Sequence, residues 1–112
     1  MVLVLKTVSV LGSTGSVGKN TLEVISKLSD RFELYGISCN ENNSLLYDQI
    51  IMYNPKVAVI TNHEKYNEFT NEHGNKIGKT RILFGDEGLN QISSHDHVDV
   101  VVCLLYTSDA AD

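Results

Sequence analysis

The sequence predicts an α/β fold in which a parallel β-sheet carries helices on both faces. Short apolar runs rich in β-branched residues alternate with longer segments of helical period, an order that is typical of such sheets. A glycine-rich turn joins the first apolar run to the first helical segment. Hydrophobic residues make up 42% of the chain and charged residues 21%, as in ordinary globular proteins, so we expect the 112 residues to form one small domain.

Five segments are predicted to be strands because they are short, apolar and bounded by turn residues. They are residues 7–11, 32–39, 57–60, 81–84 and 98–103. After a fifth strand, a parallel sheet of this kind runs into a loop and another helix. The chain ends soon after residue 103, so we expect the sheet to be incomplete.

The first of four predicted helices begins near Ser16 and is amphipathic, with Glu23 and Lys27 opposite its apolar stripe. The stripe that we expect to face the core consists of Val17, Thr21, Val24, Ile25 and Leu28. This helix is predicted to pack on the sheet directly after the glycine-rich turn.

The other three helices carry start or stop signals. Asn43 or Ser44 can cap the second helix. The third covers residues 63–73, is largely polar and ends at Gly74, which suits a left-handed backbone conformation. The fourth begins near Asp86, whose carboxylate stabilises the positive end of a helix dipole.

Charge and hydropathy argue against two classes of partner. The net charge is −5 and the nine Lys and Arg residues are scattered, which is unfavourable for nucleic-acid binding. The apolar start of the chain is interrupted by Lys6 and lacks a cleavage site, so it is interpreted as a strand and not as a signal peptide. No apolar run approaches the roughly 20 residues that span a bilayer. We therefore expect neither a nucleic-acid nor a membrane partner.

The two cysteines indicate a reducing compartment. Cys39 and Cys103 lie far apart without the spacing of a metal site, so we expect two reduced, half-buried thiols and a cytoplasmic location. No histidine is assigned to a metal. His95 and His97 are predicted to lie in a solvated loop, and two further histidines, His63 and His73, on the surface near the ends of one helix.

The glycine-rich turn reads GSTGSVG over residues 12–18 and does not fit the P-loop of nucleoside triphosphatases. That motif is G-x-x-x-x-G-K-[ST], in which the Lys and the hydroxyl contact phosphate and magnesium. Counted back from Gly18, Ser13 occupies the position of the first glycine. Asn20 occupies the position of the hydroxyl residue, so the P-loop interpretation fails twice.

A dinucleotide-binding turn fits better, although the spacing differs by one residue from G-x-G-x-x-G. Gly12, Gly15 and Gly18 can provide the tight turn, the close approach to a pyrophosphate and the close packing of helix on strand. The start of the following helix would direct its N–H groups at the anion. Hydroxyl donors are available from Ser13, Thr14 and Ser16. The same glycines would also suit a strand-to-helix turn that binds nothing.

The end of the second predicted strand favours NADP over NAD. An NAD site usually has a carboxylate there for the ribose 2′-hydroxyl, whereas this strand ends in Ser38, Cys39 and Asn40. Asn40 and Asn42 can donate to a 2′-phosphate. Glu41 lies in the same turn and would repel that phosphate unless it points to solvent.

The chain resembles the 1-deoxy-D-xylulose 5-phosphate reductoisomerase family over nearly all of residues 7–102. The resemblance is carried by TVSVL before GSTGSVG, by TLEVI and RFELYGISCNENNSLLYDQIIMYNPKVAVI after it, and by ILFGDEGLNQI and VDVVV further on. The family's loop reads GSTGSIG, so only Val17 differs. The resemblance implies a Rossmann-like fold, with residues 1–102 as the amino-terminal part of an NADPH-binding domain and residues 103–112 as a non-native or truncated tail.

The resemblance also implies site residues. Thr14, Gly15, Ser16 and Val17 would line the NADPH pyrophosphate. The family's Gly-Lys-Asn turn after the second strand falls on residues 40–42, where only Asn42 is retained and Glu41 replaces the Lys. The family's catalytic residues and metal ligands lie further along a longer chain, so none is assigned here.

By the same resemblance, the complete enzyme would convert 1-deoxy-D-xylulose 5-phosphate to 2-C-methyl-D-erythritol 4-phosphate with NADPH and a divalent metal, Mg or Mn. It would be a homodimer in the cytoplasm or, in a eukaryote, in a plastid-type organelle, and this fragment alone would be inactive. Two alternatives remain open from the sequence. One is another NADP-dependent reductase, such as a semialdehyde dehydrogenase or dihydrodipicolinate reductase, and the other is a non-catalytic nucleotide-sensing module.

Overall fold

The computed structural model of the chain describes residues 5–94 and 96–104. Strands and helices alternate along this part of the chain, as the sequence predicts, except that two strands follow each other after the third helix. The elements are β1 Lys6–Leu11, α1 Ser16–Lys27, β2 Phe32–Cys39, α2 Asn43–Tyr53, β3 Val57–Ile60, α3 His63–His73, β4 Lys76–Ile77, β5 Thr80–Phe84, α4 Gly85–Ser93 and β6 Val100–Cys103. The tail predicted at residues 103–112 falls mostly on residues 105–112, which lie outside the described residues.

The strands form one six-stranded sheet in the order β4-β5-β3-β2-β1-β6. All neighbouring pairs are parallel except β4 with β5, which is antiparallel. The five predicted strands are confirmed, but the prediction missed β4. Its two residues, Lys76 and Ile77, are too few to produce an alternating or continuous apolar pattern.

Helices cover both faces of the sheet, as predicted, and the side chains of β1, β2, β3, β5 and β6 alternate between two buried layers. One layer packs β-strands against α1, α2 and α3 and includes Val8, Val10, Leu22, Ile25, Ile37, Leu46, Ile50, Ala58, Ile60, Phe69 and Ile82. The other packs the opposite face against α4 and includes Leu11, Val57, Val59 and Ile92. No described helix is both long enough and apolar enough to cross a membrane.

Helix α1 faces the sheet with a different stripe from the predicted one. Gly18, Leu22 and Ile25 are its buried residues, whereas Val17 and Val24 are 57% and 54% exposed. Apolar residues cover two adjoining sides of this helix, and the sheet packs against the side that carries Leu22. The prediction was therefore wrong for Val17 and Val24.

The exposed side of α1 and the neighbouring edge strand enclose an apolar groove of about 360 Å³. Its walls include Val17 and Val24 from α1 and Val100 and Val102 from β6. We call it the α1–β6 groove. It lies on the same face of the sheet as α1, because Val102 packs beside the layer that contains Val8.

Two helix ends differ in detail from the prediction. Asn42, and neither Asn43 nor Ser44, caps α2, because its Oδ1 accepts a hydrogen bond of 3.2 Å from the Leu45 N–H. Gly74 ends α3 with the predicted positive φ of 82°, but its ψ of −179° is extended, so the conformation is not left-handed helical.

Candidate functional site

The glycine-rich turn lies at the carboxyl end of β1, where the strand order of the sheet reverses. β1 is followed along the chain by β2 on one side, whereas β6 pairs with its other side. Ligands of open α/β sheets bind at such a reversal, outside the carboxyl ends of the strands. The turn after β2, residues 40–42, lies at the same edge of the sheet because β1 and β2 are parallel.

Two of the three glycines are required by the fold. Gly12 has a φ of 86°, which a residue with a side chain rarely adopts, and its carbonyl accepts a hydrogen bond of 3.3 Å from the Gly15 N–H. A Cβ on Gly18 would lie 2.7 Å from the backbone of Ser13. Gly12 therefore makes the turn, and Gly18 allows α1 to pack closely against it.

The fold itself does not require a glycine at position 15. Gly15 is exposed, has an ordinary φ of −73°, and would place an added Cβ no closer than 3.8 Å to the Gly12 carbonyl oxygen. The absence of a side chain at this position instead leaves the backbone open to close approach from outside. This is the steric condition for a pyrophosphate that contacts the loop.

The first turn of α1 is arranged to attract an anion. Gly15 is its N-cap and provides no side-chain hydrogen bond, and the first turn holds no acidic residue. Ser16 and Val17, the first two helical residues, are exposed. The N–H groups of a first turn have no partner within the helix, and the helix dipole adds partial positive charge there.

Ser13 is placed differently from its neighbours. Its side chain is fully buried, and its hydroxyl donates to Gln49 Oε1 at 2.7 Å and lies 3.2 Å from the Ser38 carbonyl oxygen. The sequence predicts that this hydroxyl donates to the ligand, whereas in the structure it forms hydrogen bonds inside the fold. Thr14 is half-buried and Ser16 exposed, so their hydroxyls lie on the accessible side of the loop.

The turn after β2 combines two amides with one carboxylate. Asn40 Oδ1 accepts a hydrogen bond of 2.8 Å from Thr61 Oγ1, and Asn42 Oδ1 caps α2. Because both amide oxygens are engaged as acceptors, the amide nitrogens are the groups that can donate to a phosphate. Glu41, between them, is exposed, and its carboxylate can therefore point to solvent.

The prediction of two half-buried cysteines is wrong for both. Cys39, at the end of β2, is buried, and Cys103 is exposed. Burial raises the pKa of the Cys39 thiol to about 12, while a hydrogen bond from the Asn42 backbone lowers that pKa by less. The Cys39 thiol is therefore neutral near pH 7 and does not act as a nucleophile.

The described histidines lie beside aromatic rings. His73 stacks on Tyr47 with ring centroids 4.3 Å apart and is half-buried, which differs from its predicted surface position. His63 and His97 are exposed, in agreement with the surface position predicted for His63 and the solvated loop predicted for His97, and His95 lies outside the described residues. Within residues 5–94 and 96–104, no three His, Cys, Asp or Glu side chains come together as a metal site would require.

Sequence reasoning missed the roles of Ser38 and Gln49. Both side chains are buried and both hydrogen-bond to the glycine-rich turn: Ser38 Oγ accepts from the Gly12 N–H at 2.9 Å, and Gln49 bonds to Ser13. A signal was present for Gln49, since it lies beside Ile50 and three residues after Leu46, on the buried side of α2. A polar residue on a buried helix face requires a partner.

Comparisons with known proteins agree with this arrangement. The family model described as 1-deoxy-D-xylulose 5-phosphate reductoisomerase matches residues 8–109. The chain is 36% identical over 98 residues to the reductoisomerase of Clostridium kluyveri, covering 88% of this chain and 26% of that protein. It is 37% identical over 99 residues to the enzyme of Wigglesworthia glossinidia brevipalpis, covering 88% and 25%.

Two solved structures are similar in fold and sequence. A DOX-P reductoisomerase crystal structure in complex with magnesium superposes with a TM-score of 0.78 at 28% identity, covering 88% of this chain and 24% of that one. The Zymomonas mobilis reductoisomerase in complex with NADPH gives a TM-score of 0.68 at 30% identity, covering 80% and 23%.

The chain spans about a quarter of the length of these curated relatives. Its mostly parallel sheet, with helices on both faces, is the α/β fold that the sequence predicts, and it matches the superposed structures. The family match covers most of the described residues, including the glycine-rich turn and the turn after β2. The chain belongs to the 1-deoxy-D-xylulose 5-phosphate reductoisomerase family.

Proposed function

We propose that this chain is the NADPH-binding part of an oxidoreductase that converts 1-deoxy-D-xylulose 5-phosphate to 2-C-methyl-D-erythritol 4-phosphate in isoprenoid precursor biosynthesis. The observation that carries the proposal is the open backbone at Gly15, at the uncapped start of α1. Membership of the family and the NADPH complex of the Zymomonas mobilis relative support it. When bound, NADPH supplies the hydride for the reduction.

In this proposal the backbone of residues 14–17 binds the pyrophosphate. The N–H groups at the start of α1 donate to the phosphate oxygens, and Gly15 allows the close approach. Gly12 and Gly18 shape the turn, and Ser13 supports it from inside. The amide nitrogens of Asn40 and Asn42 donate to the adenosine 2′-phosphate.

The divalent metal and the sugar phosphate are proposed to bind outside this chain. The described residues form no acidic or histidine cluster that fits Mg or Mn. Related structures hold magnesium, and some hold fosmidomycin together with magnesium. As the resemblance to the family implies, we place the metal ligands and the substrate site in the three quarters of the family's length that the chain does not cover.

The assembly and the location rest on the family alone. We propose a homodimer for the complete enzyme, located in the cytoplasm or in a plastid-type organelle. The small-molecule substrate and the acidic net charge of −5 both favour a function without a nucleic-acid partner.

The experiment that tests the proposal compares Gly15→Val with the unchanged chain. The φ of Gly15 suits a valine, and the space for its Cβ is open, so the variant should keep its thermal melting curve. The valine side chain would occupy the position of the pyrophosphate, so calorimetry should detect no NADPH binding. Ser29→Val, at an exposed residue before β2, is the control and should bind normally. Unchanged NADPH binding by a folded Gly15→Val variant would remove the assignment.

A further inference from the structure

We propose that Gln49 is a positioning residue for the candidate cofactor site. Its side chain fixes the peptide unit between Ser13 and Thr14 so that the Thr14 N–H faces the pyrophosphate. This inference rests on the proposed function, because it concerns the same loop.

The contact between Gln49 and Ser13 is reciprocal. Gln49 Nε2 donates to the Ser13 carbonyl oxygen at 2.8 Å, and the Ser13 hydroxyl donates to Gln49 Oε1 at 2.7 Å. Ser13 is 0% and Gln49 4% exposed, so water does not compete for these groups. Buried hydrogen bonds of this kind fix geometry strongly, because an unpaired partner would be costly.

The hydrogen bond to the carbonyl determines where the next N–H points. In a trans peptide the C=O of one residue and the N–H of the next lie in one plane and point in opposite directions. Gln49 holds the Ser13 carbonyl toward the interior, on the side of α2. The Thr14 N–H is thereby directed away from the interior, toward the exposed side of the loop that carries Gly15 and Ser16.

Ser38 holds the same turn from the neighbouring strand. The Ser13 N–H donates to the Ser38 carbonyl at 2.9 Å, and the Gly12 N–H donates to Ser38 Oγ at 2.9 Å. Ser38 thus fixes the donor side of Ser13, and Gln49 fixes its acceptor side. Together they hold both ends of one residue, which prevents rotation of the peptide that follows.

The test uses Gln49→Met, which keeps the length and volume of the side chain but removes both hydrogen bonds. Two ligands are titrated by calorimetry. NADPH contains the pyrophosphate. Adenosine 2′-monophosphate lacks it and should contact only the turn after β2, through its 2′-phosphate. We expect the Kd for NADPH to rise roughly tenfold and the Kd for adenosine 2′-monophosphate to remain unchanged.

Gln91→Met is the matched control. Gln91 also donates a side-chain hydrogen bond, from Nε2 to the Tyr35 hydroxyl at 3.3 Å, but it lies on α4 at the opposite face of the sheet. This variant should bind both ligands as the unchanged chain does. A general loss of stability in Gln49→Met would weaken the binding of both ligands to that variant, whereas a positioning role weakens NADPH binding alone.

Ser13→Ala provides a second measurement if Gln49→Met does not fold. It removes the hydroxyl and retains the bond from Gln49 Nε2 to the carbonyl, so we expect a loss of NADPH affinity of about threefold. Unchanged NADPH affinity in either folded Gln49→Met or, failing that, Ser13→Ala would overturn the inference and leave the proposed function intact. An unchanged chain that binds neither ligand would overturn both.

Discussion

Glu41 stands where the family's motif has a Lys, next to the proposed site of the 2′-phosphate, and is exposed. We predict that Glu41→Lys raises NADPH affinity roughly tenfold, since a repulsion becomes an attraction across a solvent-exposed gap. NADH lacks the 2′-phosphate and should gain much less. Titrations at low and high salt should show the gain shrinking as the charges are screened.

Asp30→Lys is the control for that substitution because it changes the net charge equally. Asp30 precedes β2 and Glu41 follows it, so the two residues lie at opposite ends of this strand. Asp30→Lys should leave the preference between NADPH and NADH unchanged. Equal gains for both cofactors in Glu41→Lys would mean that the turn does not recognise the 2′-phosphate.

We predict that the buried thiol of Cys39 lowers the free energy of unfolding at high pH. Its pKa is about 12 in the folded chain and near 9.0 when the thiol is exposed. Between these values the unfolded chain loses a proton that the folded chain retains. The free energy of unfolding should therefore fall as pH rises from about 9, by about 1.4 kcal/mol per pH unit from this group.

Urea denaturation at several pH values measures this slope. Cys39→Ala should lower the overall stability but flatten the alkaline slope, whereas Cys103→Ala, at an exposed thiol, should leave the slope as it is. A slope that is identical in all three chains would contradict the raised pKa of Cys39.

At the scale of single residues, the sequence predicted positions with local causes and missed those with distant ones. The need for glycine at Gly12 and Gly18 follows from a turn between a strand and a helix, which a local pattern reveals. The inward direction of Ser13 depends on Gln49, which is 36 residues away along the chain. No local pattern specifies such a partner before the packing of α2 is known.

Asn42 combines a role in the fold with its proposed role in binding, and two substitutions separate them. Asn42→Ala removes the cap of α2 and should lower the free energy of unfolding by about 1 kcal/mol. Asn42→Asp keeps an acceptor for the Leu45 N–H and should retain most of that stability. Because it replaces an amide donor by a carboxylate, it should nevertheless weaken NADPH binding. Denaturation and calorimetry on both variants check this, and normal NADPH affinity in Asn42→Asp would exclude Asn42 from the site.

At the scale of elements, residue patterns predicted the order of strands and helices and most of their bounds. The third strand, VAVI, is apolar throughout because it is buried on both faces, and such runs are easily recognised. The predicted facing of α1 is wrong at Val17 and Val24, because the apolar residues of this helix cover two adjoining sides and only tertiary packing selects one. The antiparallel strand β4 forms by pairing with β5, and its two residues are too few to produce a sequence pattern that predicts this pairing.

At the scale of the whole molecule, we predict that the chain associates with itself in solution through the α1–β6 groove. Val17 and Val24 are more than half exposed beside Val100 and Val102, and β6 is an edge strand. Exposed apolar patches and unpaired strand edges promote association. Sedimentation velocity should show a concentration-dependent increase in mass, which Val24→Lys should reduce.

Ile51→Lys is the control for this effect. Ile51 on α2 is 53% exposed, almost as much as Val24, but it does not line the groove. Its substitution should change the association little. A chain that remains monomeric at all concentrations, or an equal effect of both substitutions, would show that the groove does not drive association.

Hydrogen–deuterium exchange with and without the cofactor measures directly whether the glycine-rich turn and the turn after β2 together bind NADPH. Mass spectrometry reports this exchange at micromolar concentration, where self-association is weakest. With NADPH bound, we expect slower exchange in peptides that contain Thr14, Ser16 and Val17 and in those that contain residues 40–42, with little change in α3 and α4. Protection that is absent, or that appears mainly along the α1–β6 groove, would contradict it.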